Sequence, residues 1–371
     1  MILFLSLAFM FSIVVLFGCC LAQSMGHPAL YEWISWIGWG CLATTVFCAM
    51  GYSMANALAP AAIRGLRGVG LLSPNRTGDG PDNLPSPERR RFLALFLNSG
   101  LVAASGSLAA CGLHEGFRFP QVKAVTIRLL NLPPDLEALR IVQLSDLHIT
   151  EMIRPGWVAS LVACVNSLNA DLIALTGDIA DGPYPEIGHH VFPLKGLKAR
   201  FGSYFVTGNH EYLYGARTWT RVMEDLGMTT LVNDHRLVWQ GRGVLLVGGV
   251  ADYSAPSRSS DVSEPETAMG NAENADVTIL LAHQPRSVYG AARAGFDLQL
   301  SGHTHGGQFG PAGWLRSWGQ PYQSGLYAHE NMQIYVSNGT GFFGVPFRLG
   351  APSEITLLTL TSAKNNRFSP Q

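Results

Sequence analysis

The chain has 371 residues, six Cys and a formal net charge of -1. That balance gives no basic excess for general nucleic-acid binding, and because only Cys164 lies beyond residue 114, no disulfide framework or thiolate metal site can form in the later part of the chain. The first 114 residues hold long uncharged stretches and no Lys, whereas the remainder mixes charges with regular apolar segments; a membrane region is expected at 1–114 and a soluble domain at 115–371.

Residues 1–23 and 33–58 are apolar runs, each long enough to span a bilayer. The second opens on Trp33, Trp36 and Trp39, rings suited to a membrane interface. A third run, 92–113, is interrupted by Asn98, Ser99 and several Gly, and reads either as a span or as an export signal. The export reading comes from Arg89-Arg90-Arg91-Phe92-Leu93, which resembles a twin-arginine signal. Arg64, Arg67, Arg76 and Arg89 to Arg91 make the linker 59–91 cytoplasmic by the positive-inside rule; the third run then carries the chain outward, so the soluble domain is expected on the exterior or periplasmic face of a bacterial inner membrane.

Beyond the membrane region, strands are expected at 122–130, 139–144, 172–176, 204–207, 244–247, 277–282, 298–300, 334–337 and 355–360, and helices at 156–169, 216–226 and 286–294. This alternation predicts an α/β domain with helices covering sheet faces. In such sheets, functional groups collect just beyond the carboxyl ends of strands.

Five of these strand ends carry metal-ligand residue types: Asp146-Leu147-His148, Gly177-Asp178, Gly208-Asn209-His210-Glu211, His283 and Gly302-His303-Thr304-His305. Singly, each has a bland explanation, as a turn, a helix cap or a hydrogen-bonded core histidine. Together, in one order and always at a strand exit, they point to a metal centre built from carboxylate, amide and imidazole. Those donors suit Mn²⁺, Fe or Zn²⁺.

The five blocks resemble the calcineurin-like metallophosphoesterase superfamily, and their wording is most similar to its bacterial membrane-tethered branch, the YkuE-like and YaeI-like proteins. The resemblance implies a four-layer αββα sandwich. It implies that Asp146, His148, Asp178 and His305 hold one divalent metal ion and that Asp178, Asn209, His283 and His303 hold a second, with Asp178 as the bridge. It makes His210 the general acid, with a water activated between the metals as the nucleophile on phosphorus. The expected activity is phosphoester hydrolysis, on a phosphodiester or a lipid- or envelope-linked phosphate. The alternatives are a cytoplasm-facing lipid-precursor or nucleotide pyrophosphatase and a non-catalytic metal-binding membrane scaffold. No protein partner follows from the sequence. Glu211 is left open between orienting the site and being solvated, Asp181 and Asp252 have no role, and the 342–346 loop is either buried or a contact for a lipid tail.

Overall fold

A computed structural model describes residues 87–255, 261–270, 274–310 and 319–363. The spans expected at 1–23 and 33–58, and the linker up to residue 86, lie outside these residues. The chain divides into two units, Met1–Leu113 and His114–Gln371. Helix α1 (Pro87–Phe117) takes in the third apolar run. Among the described residues no helix is long and apolar enough to cross a membrane, so the span expected at 92–113 is not borne out.

The second unit holds two six-stranded sheets. One is built from β1 (Gln121–Leu129), β2 (Arg140–Leu144), β3 (Leu172–Thr176), β4 (Ser203–Val206), β5 (Thr229–Thr230) and β12 (Glu354–Ser362), in the order β1-β12-β2-β3-β4-β5. The other is built from β6 (Asp234–Gln240), β7 (Gly243–Gly249), β8 (Val277–Leu281), β9 (Leu298–Ser301), β10 (Gly325–His329) and β11 (Met332–Val336), in the order β10-β11-β9-β8-β7-β6. Strands β2 to β5 run parallel in the first sheet, and β7, β8, β9 and β11 in the second.

The period-two alternation of each strand divides the interior into layers. Ile141, Leu172, Ala174, Tyr204 and Val206 of the first sheet share a buried cluster with Leu245, Val247, Val277, Ile279, Leu281, Leu298 and Leu300 of the second. Their neighbours face outward. Val142, Leu144, Ile173, Leu175 and Phe205 join a cluster with α2 (Pro155–Ser167), α3 (Tyr184–Val191) and α5 (Ala216–Asp225). Leu246, Leu280, Ile334 and Val336 join another with α6 (Pro265–Met269) and α7 (Val288–Ala294). In α2 the buried positions Val158, Leu161, Val162 and Val165 recur at i, i+3, i+4 and i+7, a single helix face laid on the sheet. The layers therefore run helix, sheet, sheet, helix, with helix α4 (Asn209–Tyr214) leading directly out of β4's exit.

Polar bonds pin the two sheets together at the strand exits. Gln143, buried on the inner face of β2, donates through Nε2 to Thr176 Oγ1 of β3 and to the Ser301 carbonyl of β9, both at 2.9 Å. A buried amide left without partners would cost about 1–3 kcal/mol, so this side chain ties the sheets into one register.

Candidate metal centre

Asp146 and His148 follow β2, Asp178 follows β3, and Asn209 and His210 open α4 after β4; His283 follows β8, and His303 and His305 follow β9. All seven predicted ligands thus leave parallel strands at one end, three segments from one sheet and two from the other. The two loops of the first sheet run side by side: Asp146 N–H donates to Gly177 O and His148 N–H to Asp178 O, both at 3.0 Å.

Turning those side chains inward strains the backbone. Among the described residues nine non-glycine residues have positive φ, and five are Asp146, His148, Asp178, His303 and His305. Each such residue costs about 1–2 kcal/mol, and strain of this kind concentrates at functional sites. Two glycines supply the close approach. A Cβ on Gly302 would lie 2.1 Å from Asp146 Oδ2, and one on Gly208 would lie 2.2 Å from Asp178 Oδ1.

The ligand atoms form two groups. In one, His148 Nε2 is 3.0 Å from His305 Nε2 and 3.7 Å from Asp178 Oδ2, and His305 Nε2 is 3.4 Å from Asp146 Oδ1. In the other, His283 Nε2 lies 3.2 Å from Asp178 Oδ2, 3.1 Å from Asn209 Oδ1 and 3.2 Å from His303 Nδ1. Donors about 2.0–2.2 Å from a divalent ion stand about 3–3.5 Å apart when adjacent and up to about 4 Å when more nearly opposite. The second group has adjacent spacings throughout, and the first also holds wider pairs, His148 Nε2 to Asp178 Oδ2 at 3.7 Å and to Asp146 Oδ1 at 4.0 Å, so each group fits such an ion. Asp178 refines the expected bridge. Its Oδ1 accepts the His210 backbone N–H at 2.8 Å, which leaves Oδ2 alone to face both groups. His283 is oriented from behind, its Nδ1 lying 2.9 Å from Thr176 O, so Nε2 is the nitrogen presented to the site.

Residues 139–307 match the family model for calcineurin-like phosphoesterases. Over 276 residues the sequence is 36% identical to an uncharacterized metallophosphoesterase of Helicobacter pylori strain J99, covering 74% of this chain and 73% of that protein. It is 34% identical over 287 residues to a transmembrane protein with metallophosphoesterase domain from Danio rerio, covering 74% of this chain and 63% of that one. The Bacillus subtilis uncharacterized metallophosphoesterase YkuE is 30% identical over 289 residues, 74% of this chain and 98% of that one. The chain belongs to the calcineurin-like metallophosphoesterases.

Around its ligands, this metallophosphoesterase carries a layer of groups that the sequence did not identify. Asp181 is the first. Its Oδ1 lies 2.7 Å from His210 Nδ1 and its Oδ2 lies 3.3 Å from His148 Nδ1, so one carboxylate backs both rings. Burial alone would raise the Asp181 pKa, but the close approach of the His148 ring and the hydrogen bond from His210 hold it well below the usual carboxylate range. His210 answers in kind: burial lowers its pKa, and the Asp181 bond with the Asp178, Asp181 and Glu211 charges more than reverses this. With Nδ1 engaged, His210 turns Nε2 toward the site, 4.0 Å from Asp178 Oδ2.

Glu211 is fully buried, which settles its open reading. Its carboxylate accepts backbone N–H groups from Gly208 (2.6 Å), Asp178 (2.9 Å), Ile179 (2.8 Å) and Ala180 (3.2 Å), clasping the Asp178 loop to the Asn209 turn. Arg348 went unnoticed in the sequence, where nothing marks it between Phe347 and Leu349. It is 1% exposed, and its guanidinium bonds the carbonyls of Asn338 (3.0 Å), Gly341 (3.1 Å) and Ala351 (2.8 Å), holding the 338–341 loop beside His305. Burial pushes its pKa down to about 10, so it stays charged at neutral pH.

The 342–346 loop lies against the site. Phe343 packs its ring 5.4 Å from those of His148 and His210 and 6.1 Å from that of His305. Gln308 fixes the loop, donating to the carbonyls of Phe343 and Val345 and accepting the Phe343 N–H. The Gly306-Gly307-Gln308 turn therefore serves as an anchor, with Gly306 so close to Asn338 that a Cβ there would lie 2.3 Å from its Oδ1.

Proposed function

We propose that this chain is a membrane-attached, dinuclear-metal phosphoesterase acting on a phosphodiester or on a lipid- or envelope-linked phosphate. One observation carries the catalytic reading: Asp178 Oδ2 faces His148 Nε2 of one donor group and His283 Nε2 of the other. Divalent ions held by Asp146, His148, Asp178 and His305, and by Asp178, Asn209, His283 and His303, would neutralise phosphoryl charge and lower the pKa of a water toward about 7. The protein's own groups do the rest. His210, its Nδ1 tied to Asp181, keeps a proton at Nε2 for the departing oxygen. Asp181 holds that ring and the His148 ring at fixed angles, and Phe343 walls three site histidines with an apolar ring. Mn²⁺, Fe and Zn²⁺ all suit this donor set.

Membrane attachment rests on the apolar runs at 1–23 and 33–58 and agrees with the transmembrane description of the Danio rerio relative. With no span found at 92–113 among the described residues, the extracytoplasmic reading rests on export directed by the Arg89-Arg90-Arg91 sequence. A reporter fused after Gln371 is expected to be active only outside the cytoplasm. Activity solely inside would reverse the orientation and redirect the substrate search to cytoplasmic lipid precursors or nucleotides.

The catalytic reading is tested by adding Mn²⁺ to the full chain in detergent and measuring turnover of bis(4-nitrophenyl) phosphate, beside the His210→Ala variant. Turnover in the parent that is lost in the variant, with metal retained, is the expected result. No turnover in the parent on mono-, di- or pyrophosphate esters would leave only a metal-binding scaffold.

A further inference from the structure

A cavity of about 220 Å³ opens from the metal centre, lined by His303, His305, Phe343, Gln284, Arg286 and Gln320. It shares Arg286, Gly319 and Gln320 with a second recess of about 320 Å³, which Tyr253, Tyr289 and Pro321 complete. Among the described residues Arg286 is the one Arg or Lys lining either space, so it stands where a substrate extending away from the metals would pass. We propose that Arg286 forms a binding site for a second oxyanion on the substrate, so that the preferred phosphoester carries a further phosphate or carboxylate on the group lying over Arg286. This rests on the phosphoesterase reading above and adds the substrate class.

Three features make Arg286 a built site. First, its guanidinium carbon lies 4.9 Å from the centre of the Tyr253 ring, a cation–π contact that fixes the plane of the fork. Second, its Nη2 donates to the Gly319 carbonyl, and a Cβ on Gly319 would lie 3.0 Å from that nitrogen, so the side chain is pressed against backbone. Third, its own backbone is locked by a relay of polar groups. Arg286 N–H donates to Gln320 Oε1 at 3.1 Å, Gln320 Nε2 to Gln284 Oε1 at 2.9 Å, and Gln284 Nε2 to Asp252 Oδ1 at 3.0 Å. Asp252, 1% exposed just after β7, anchors the relay and stands in neither ligand group. This gives the otherwise unassigned acid a task.

The chemistry of the occupant follows from the fork. A guanidinium presents five donors in a plane and pairs two at a time with the oxygens of a phosphate or carboxylate. A neutral extension would leave that charge unmatched. The flanking tyrosines Tyr253 and Tyr289, 53% and 52% exposed, supply apolar walls for the linker between the two anionic groups.

The test compares two esters with the same leaving group, methyl 4-nitrophenyl phosphate and 3-carboxypropyl 4-nitrophenyl phosphate, on the full chain in detergent with Mn²⁺. The parent is expected to favour the carboxypropyl ester by about tenfold or more in kcat/KM, in line with a charge-assisted pair. Arg286→Ala is expected to bring the ratio to about one, and Arg286→Lys to restore it in part. Equal efficiency of the parent on both esters, or an unchanged preference in Arg286→Ala, would overturn the assignment while leaving the phosphoesterase reading standing. Hydrolysis of neither ester would overturn the Arg286 assignment, and the phosphoesterase reading would fall with it only if mono- and pyrophosphate esters were not turned over either.

Discussion

At the scale of single residues, the site is a set of ligands held by groups that never touch the metals. Asp181 shows how one side chain does two tasks, since its two oxygens back a ligand, His148, and the proposed acid, His210. Replacing His210 by Gln removes the proton donor and leaves the ligands in place. Turnover is expected to fall about 10²–10⁴-fold with metal content unchanged, measured by elemental analysis beside the rate. Asp181→Asn weakens the hold on both rings, and the expected result is a loss of about 10–100-fold in metal affinity together with a lower rate. A full loss of rate at unchanged affinity would confine Asp181 to His210. Glu211 predicts a change in stability. In Glu211→Gln an amide N–H₂ faces two of the four backbone N–H groups that the carboxylate now accepts. At about 1–3 kcal/mol for each buried group left unpaired, thermal unfolding is expected to drop by several degrees even with metal bound. An unchanged melting temperature would contradict the clasp.

At the scale of elements, the central strands were legible because parallel strands buried on both faces read as unbroken apolar runs; Leu172–Thr176 has the bounds expected from its sequence. The ligands were legible for a related reason. Each sits just after such a run, where the chain must turn and nothing in the core requires a His or an Asp. The missed strands are β5, β6 and β10, all at sheet edges. In β6 only Val238 is buried, while Leu237 and Trp239 are exposed beside the charged Asp234 and Arg236, so one inward residue imprints no apolar alternation. Helix α4 was missed because its six residues begin on a ligand and end at Gly215, too short for a helical period to register. Asp181 and Arg348 were missed because their partners are 29 or more residues away or are backbone carbonyls, which no local motif records. The turn glycines yield a prediction of their own. Gly302→Ala drives a methyl to within 1.9 Å of Ser145 Oγ and 2.1 Å of Asp146 Oδ2. The ion held by Asp146 is expected to bind far more weakly, which titration calorimetry reads directly.

At the scale of the whole molecule, the two sheets meet through an apolar layer along most of their length and through hydrogen bonds and ligand pairs at one end. The metals would therefore also act as a clasp between the sheets. Ligands that bind only the folded state add stability of about 2.7 kcal/mol at a hundredfold excess over Kd. A chelator is thus expected to lower the melting temperature of the full chain, and Mn²⁺ to restore it. The central claim is that two ions share Asp178, and the most direct test is metal stoichiometry in the parent and in Asp178→Ala, read by elemental analysis of chains equilibrated with Mn²⁺. Two ions per parent chain and loss of both in the variant, with turnover lost as well, is the predicted result. One ion per parent chain, or two retained when Asp178 is gone, would contradict it.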